Sequence, residues 1–326
     1  MSDPADGAPA SADAGASEYL PVDPDAQVRL AAKKRGYGLP SWMSMTTALR
    51  IAALIPDWAW RPVIRFSGWL AWKRRYRAMR QWCLNAGVML GRPPTDEEAR
   101  AGMRSWLRNL ANSVRIGRYS QAQILRLVAV DDASAKLMRD AWATTGAIVA
   151  LPHMGDWDLS GAWACATGVP VSSVAERLPD AEFEYFMKVR QRAGMTIYSH
   201  KDKDSLDKLA DDIKRGHLIA LVADRDLSHR SVPVVWQTAS GPQHVTMPPG
   251  PAVLARRTGA QLLVAQSVYR RGGITLRFLG PVEVDMGEDG VAVTTQRLAD
   301  WFARLVTEKP VDWHLMQRFF PGLTAD

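Results

Sequence analysis

Residues 146–158 read Gly-Ala-Ile-Val-Ala-Leu-Pro-His-Met-Gly-Asp-Trp-Asp. From Ala147 to Leu151 the run is wholly apolar and holds two β-branched residues. Gly146 and Pro152 punctuate its ends. A short run of this kind fits a strand covered on both faces, as strands of parallel sheets are. A loop then leads into a helix-like segment, and Gly155 gives the turn its freedom. His153 is therefore expected to emerge at the carboxyl edge of a sheet, where open α/β folds place their ligands. Asp158 falls in the first turn of the following helix. On one regular helix an offset of five residues would set the two side chains roughly 140° apart. They meet only if His153 stays in the loop and Asp158 reaches back. Such a carboxylate would fix the imidazole tautomer and leave the other ring nitrogen as a general base. A lone histidine after a strand also has a purely structural reading.

Working outward, 218–222 (Leu-Ile-Ala-Leu-Val) is a second continuous apolar run, and 260–267 a third. Weaker strand patterns cover 169–174 and 195–198. Helical patterns cover 180–193, 205–215 with Gly216 as its stop, 250–258 and 294–307. Strands alternating with helices predict an α/β fold with a mainly parallel central sheet and helices on both faces. Residues 40–145 read as helical, with a break at Gly91-Arg-Pro-Pro94. Thr95 followed by Asp96, Glu97 and Glu98 marks a new helix start. The division expected is an acidic, disordered tail over 1–28, a helical membrane-facing region over 29–145, and an α/β catalytic core over 146–326 integrated with it. An amphipathic helical arm would precede the sheet. No internal repeat is present.

The chain has 326 residues with 41 Lys or Arg and 34 Asp or Glu, a net charge of +7. Six of the acids (Asp3, Asp6, Asp13, Glu18, Asp23, Asp25) lie in 1–28 with no base among them, so the rest of the chain stands at 41 − 28 = +13. The tail is too poor in large apolar residues to offset the entropy of ordering. It has neither a basic n-region nor an apolar h-region, so the protein is expected inside the cell. No stretch is long and apolar enough to span a bilayer. Lying on one is a different matter. Residues 58–95 hold no acid but eight bases (Arg61, Arg65, Lys73, Arg74, Arg75, Arg77, Arg80, Arg92), interleaved with Trp58, Trp60, Phe66, Trp69, Trp72 and Tyr76. Indoles beside cations suit a headgroup layer of anionic lipid. The same electrostatics would suit nucleic acid, and a helical hairpin packing its tryptophans inward with a solvated basic face is the bland alternative.

Motifs for a serine hydrolase elbow, a P-loop, a dinucleotide fold and a zinc protease are absent. The six histidines are scattered, and Cys83 and Cys165 stand 82 positions apart, so no metal site is expected and the cysteines read as inert thiols. Other signals follow strand ends. Leu221-Val-Ala-Asp-Arg-Asp-Leu227 places three charges after a buried strand, which is costly unless they are paired or used. A mutual ion-pair cluster of Asp224, Arg225 and Asp226 is the structural alternative. Val174-Ala-Glu-Arg-Leu178 follows another strand, and Arg190 and Gly194 close a helix. Met247-Pro-Pro-Gly-Pro opens a helix whose end carries Arg256 and Arg257.

Taken in order, LPHMGDWD with its H-x4-D core, VAERL, F-x3-R-x3-G, ADRDL, MPPGPAVLARRTGA and Asp312-Trp-His-Leu-Met-Gln317 resemble the bacterial lipid acyltransferases. That family includes the lauroyl and myristoyl transferases of lipid A biosynthesis and the actinobacterial phosphatidylinositol mannoside acyltransferases, the branch that looks most similar. The resemblance covers about residues 40–320. It implies a peripheral enzyme on the cytoplasmic face of the cell membrane. It also implies transfer of a fatty acyl group from acyl-CoA, as donor substrate with no cofactor, to a glycolipid hydroxyl, in that branch a mannose of phosphatidylinositol mannoside. His153 matches the family's catalytic base and Asp158 the acid of H-x4-D. Glu176 and Arg190 match residues near the substrate groove. In the mannoside branch the motif reads A-E-R-D-L, with its Glu partnering the histidine. Here Asp224 is shorter by one methylene, so the backbone moves closer, or the contact runs through water, or the role falls to Asp158. Arg225 and Arg257 are further candidates for substrate binding, and Arg190 or the Arg256–Arg257 pair could meet CoA phosphates.

The chemistry fits the residues. An alcohol is a weak nucleophile at neutral pH, and a positioned base is worth roughly 10²–10⁴-fold. Ser160 is the candidate for a covalent acyl intermediate, but its place inside a helix argues against it. The partners expected are an anionic membrane surface, acyl-CoA and a glycolipid acceptor, with no nucleic acid, and the protein is expected as a monomer. Rival readings are acyl transfer to another lipid such as a lipid A-like or lysophospholipid acceptor, a thioesterase sharing the site, and a non-catalytic anionic-lipid-binding protein.

Overall fold

The computed structural model describes residues 45–176, 180–225 and 231–325. The tail over 1–28, residues 29–44, and Asp226 lie outside them. The described chain opens with helices α1 (Met45–Leu54), α2 (Asp57–Lys73), α3 (Arg77–Leu90), α4 (Asp96–Ser113) and α5 (Gln121–Leu127). Sequence sets their limits. Gly91 ends α3 in the left-handed region at φ 65°, just ahead of two prolines that could not continue it. Thr95 and Glu98 form a reciprocal capping box at the start of α4, and Ser120 and Gln123 repeat it on α5.

The sheet is built from β1 (Val128–Ala129), β2 (Ala147–Leu151), β3 (Val171–Ala175), β4 (Met195–Ser199), β5 (Leu218–Val222), β8 (Gln261–Arg270) and β9 (Gly273–Val282). A separate hairpin joins β6 (Val232–Thr238) to β7 (Gly241–Met247). Between strands run α6 (Asp132–Thr144), α7 (Trp157–Ala166), α8 (Asp180–Arg192), α9 (Ser205–Lys214), α10 (Gly250–Thr258) and α11 (Gly290–Glu308). The strand order is β1-β9-β8-β2-β5-β3-β4, with β8–β9 antiparallel and the other pairings parallel. The α/β reading with a mainly parallel sheet and helices on both faces therefore holds.

Strand β2 lies at the centre, between β8 and β5, and every one of its residues is buried. Alternate residues feed two cores. Ile148, Ala150, Ile219, Leu221, Leu262 and Val264 face Leu209, Leu254, Leu298 and Phe302 of α9, α10 and α11. Ala147, Val149, Leu151, Leu218 and Leu263 face Ile124, Met138, Leu159 and Trp163 of α5, α6 and α7. Each Val, Leu, Ile, Phe or Met among them contributes about 1.5–3 kcal/mol by leaving water. This two-sided burial fixes the register of β2 and so the point where residue 152 leaves the sheet. The helical zone and the sheet share the second core, and β1 inside that zone is an edge strand.

Three differences from the sequence reading stand out. The β6–β7 hairpin and β9 were not anticipated, and α11 begins four residues earlier than the expected 294. Both cysteines are free. Among the described residues no helix is long and apolar enough to cross a membrane.

Candidate active site

His153 leaves the carboxyl end of β2 in the loop 152–156. Gly155 makes the turn possible: it sits at φ 61°, and a Cβ there would lie 2.2 Å from the Ser267 carbonyl oxygen. Asp156 then caps α7, accepting from the Leu159 amide at 3.0 Å. Neighbouring β5 ends at Val222, and the Ala223 amide donates to the Leu151 carbonyl at 2.9 Å. That bond carries Asp224 alongside His153.

The two side chains meet directly. His153 Nδ1 lies 2.5 Å from Asp224 Oδ1, and the His153 amide donates to Oδ2 at 3.0 Å. Trp313 Nε1 also donates to Oδ2, at 2.9 Å. Asp224 is fully buried while the His153 side chain keeps 22% exposure. Burial alone would raise the Asp224 pKa, yet the neighbouring imidazole and the three N–H donors hold it below the usual carboxylate value. An ionised Asp224 fixes the proton on Nδ1 and leaves Nε2 as the basic nitrogen. The contact between the two side chains is direct, with no water between.

Asp158 does not reach back to His153, which corrects the pairing considered from H-x4-D. It faces α8 and α4 instead, accepting from Arg190 Nε at 2.7 Å, Arg190 Nη2 at 3.1 Å and Ser113 Oγ at 2.8 Å. The helix geometry that made a direct contact conditional settles against it. Arg190 commits its Nε and Nη2 to this forked pair. Arg225 Nη2 pairs with Glu176 Oε2 at 3.0 Å, joining the edge loops after β5 and β3. Arg225 therefore looks to Glu176, and the Asp226 side of the cluster considered from sequence lies outside the described residues. Arg257 sits at the end of α10 and pairs with Asp207 at the start of α9; Arg256 donates to the Met286 and Gly287 carbonyls. The structure does not bring these two arginines to the His153 loop. Ser160 lies within α7, its hydroxyl donating to the Asp156 carbonyl at 2.8 Å.

The segment 312–317, quoted above for the resemblance without a role, proves to be the other wall of the site. Gly155 N donates to the Asp312 carbonyl at 2.8 Å and His314 N to the His153 carbonyl at 2.7 Å. Trp157 stands edge-on to His153 at 5.3 Å and lies 5.8 Å from the ring of His314. His314 is buried, and desolvation, followed by the nearby His153 and Arg108, lowers its pKa to about 3. Behind it, Ser105 Oγ donates to Asp312 Oδ1 at 2.6 Å and lies 2.8 Å from His314 Nε2. Sequence reading missed these groups because they converge from α4, α7 and the C-terminal segment; the buried polar residues Ser105 and Asn109 in an otherwise amphipathic helix were the available signal.

A histidine–aspartate pair at the carboxyl edge of a doubly covered parallel sheet defines a site suited to proton transfer. Residues 33–321 match the model of the bacterial lipid A biosynthesis acyltransferases. The chain belongs to this family of lipid acyltransferases. It is 30% identical over 239 residues to the phosphatidylinositol mannoside acyltransferase of Mycolicibacterium smegmatis, covering 72% of this chain and 76% of that protein. It is 28% identical over 309 residues to the enzyme of the same name from Mycobacterium tuberculosis, covering 91% and 92%.

Proposed function

We propose that the protein moves a fatty acyl chain from acyl-CoA to a hydroxyl of a glycolipid, a mannose of phosphatidylinositol mannoside, at the cytoplasmic face of the membrane. The observation that carries this reading is the 2.5 Å contact between His153 Nδ1 and Asp224 Oδ1 beside a partly open imidazole. In the reaction, Nε2 takes the proton as the hydroxyl oxygen attacks the thioester carbonyl. The tetrahedral oxyanion then collapses, the carbon–sulfur bond breaks, and the imidazolium returns the proton to the CoA sulfur. Asp224 stabilises the imidazolium between the two steps. No covalent acyl-enzyme is needed. The names of the two mycobacterial relatives support the choice of acceptor. The Arg225–Glu176 pair lies after neighbouring strands at the same edge, where it can bear on substrate polar groups.

The test is transfer by purified His153→Ala supplied with long-chain acyl-CoA and a mixed glycolipid extract, with product identity read by mass spectrometry. A loss of about 10²–10⁴-fold is expected in a protein that melts like the parent. Full activity would overturn the role of His153, and CoA release without any acceptor would mark a thioesterase instead.

A further inference from the structure

We propose that Trp313 is a positioning residue for the His153–Asp224 pair, its indole N–H holding the carboxylate in the orientation that serves Nδ1. The inference rests on the reading of His153 as base. Among the described residues three N–H groups donate to Asp224, and two of them belong to His153 itself, its ring and its amide. Trp313 supplies the third and the one that is independent of the histidine. A carboxylate turns easily about its last bond. If both of its oxygens were held only by His153, the acid would follow the histidine and could not orient it. With Oδ2 fixed by Trp313, Oδ1 has one place to point.

The indole is itself immobile. It is fully buried, stacked on Trp236 at 5.8 Å and met edge-on by Phe319 at 5.2 Å. Its carbonyl accepts from Trp82 Nε1 of α3 at 2.8 Å, and Asn85 on the same helix donates to the Leu315 and Gln317 carbonyls at 2.9 and 2.7 Å. Met154 pairs with Trp313 across an antiparallel bridge. One residue thus touches the loop of the base through its backbone and the acid through its side chain. Among the described residues the other charged or titratable groups bearing on the pair are His314 of the same segment and, through it, Arg108 of α4. Arg225, next along the chain, is held by Glu176.

The decisive comparison is Trp313→Phe against Trp236→Phe in the full-length protein. Phe keeps one ring in the stack and deletes the donor, with a loss of ring volume that Trp236→Phe shares. The Trp236 indole donates to Met247 sulfur at 3.2 Å and touches neither His153 nor Asp224, so Trp236→Phe controls for packing. Trp313→Phe should lower kcat by tenfold or more with KM within about twofold. It should also move the deshielded Nδ1 proton resonance of His153, which Trp236→Phe should leave in place. If Trp313→Phe fails to fold, the indole N–H resonance of Trp313 decides: it should shift upfield in Asp224→Asn. An unchanged His153 resonance with parental kcat in Trp313→Phe, or an unchanged Trp313 resonance in Asp224→Asn, overturns the inference. Loss of activity in His153→Ala alongside that result would leave the proposed reaction standing. Full activity in His153→Ala would instead remove the reaction, whatever the resonances show.

Discussion

Asp156 carries a different burden from Asp224, although both side chains are fully buried. Desolvation raises its pKa to about 6, outweighing donors from Asn112, Leu159 and Tyr269, and the charge of Asp158 adds to the rise. A carboxyl group whose folded pKa exceeds its unfolded value binds more protons in the folded state. Its contribution is fully present below about pH 4 and is lost as pH rises through about 6. The rise from 3.8 to about 6 amounts to about 3 kcal/mol. Asp156→Asn removes the titration while leaving a constant offset from altered hydrogen bonds. Melting temperatures taken between pH 5 and pH 7 should therefore diverge, with the parent losing stability relative to the variant as pH rises; parallel curves would refute this. At this scale the sequence was only half legible. His153 stood out because it follows a buried strand, and Asp224 because charges after such a strand need a reason. Asp156 and Trp313 did not, since their partners lie 44 to 113 and 89 residues away, and no local spacing encodes that distance.

Among elements, the turn after β2 does the most to place the site, and its geometry makes a second prediction. In Gly155→Ala the new Cβ would meet the Ser267 backbone at 2.2 Å in a left-handed conformation. In Gly168→Ala the same kind of backbone, at φ 89°, faces open space. The second change should cost about 1 kcal/mol of backbone strain. The first should exceed about 2 kcal/mol and lower transfer as well, because the clash can be relieved only by moving the loop that bears His153. Denaturant midpoints of the pair check this, and equal costs would mean the loop yields freely. Elements with burial on both faces, β2 and β5, were readable as unbroken apolar runs. β9 buries Ile274, Leu276 and Phe278 on alternate positions with Thr275 and Arg277 between them, a short period-2 pattern ended by Gly280-Pro281. The β6–β7 hairpin escaped for a different reason. It packs against α11, and Gln296 of that helix pairs with both the amide and the carbonyl of Val235, each at 2.8 Å. A helix side chain thereby satisfies an edge that sequence alone would expect another strand to cover.

On the scale of the whole molecule, the excess of positive charge in 58–95 gains a direction from α1 and α2. Trp60, Ile64 and Trp72 turn toward the body, and an apolar cavity of about 210 Å³ remains between α1, α2 and α4. Leu54, Trp58 and Phe66 turn away, at 64%, 76% and 60% exposure. The bland packing reading therefore accounts for one side of α2 and leaves the other unexplained. Large apolar side chains left in water beside Arg61 and Arg65 fit a face that sinks into a headgroup layer. The expected behaviour separates the two forces. Trp58→Ser with Phe66→Ser should weaken flotation with both zwitterionic and anionic vesicles, since it removes the exposed apolar area that would enter the bilayer. Arg61→Gln with Arg65→Gln should weaken binding to anionic vesicles alone, by about 1 kcal/mol per charge, with the difference vanishing at high salt. Both variants should turn over detergent-dispersed substrate as the parent does, because neither touches the His153 loop. Parental binding by both variants would remove this face from the account of how the enzyme reaches its lipid.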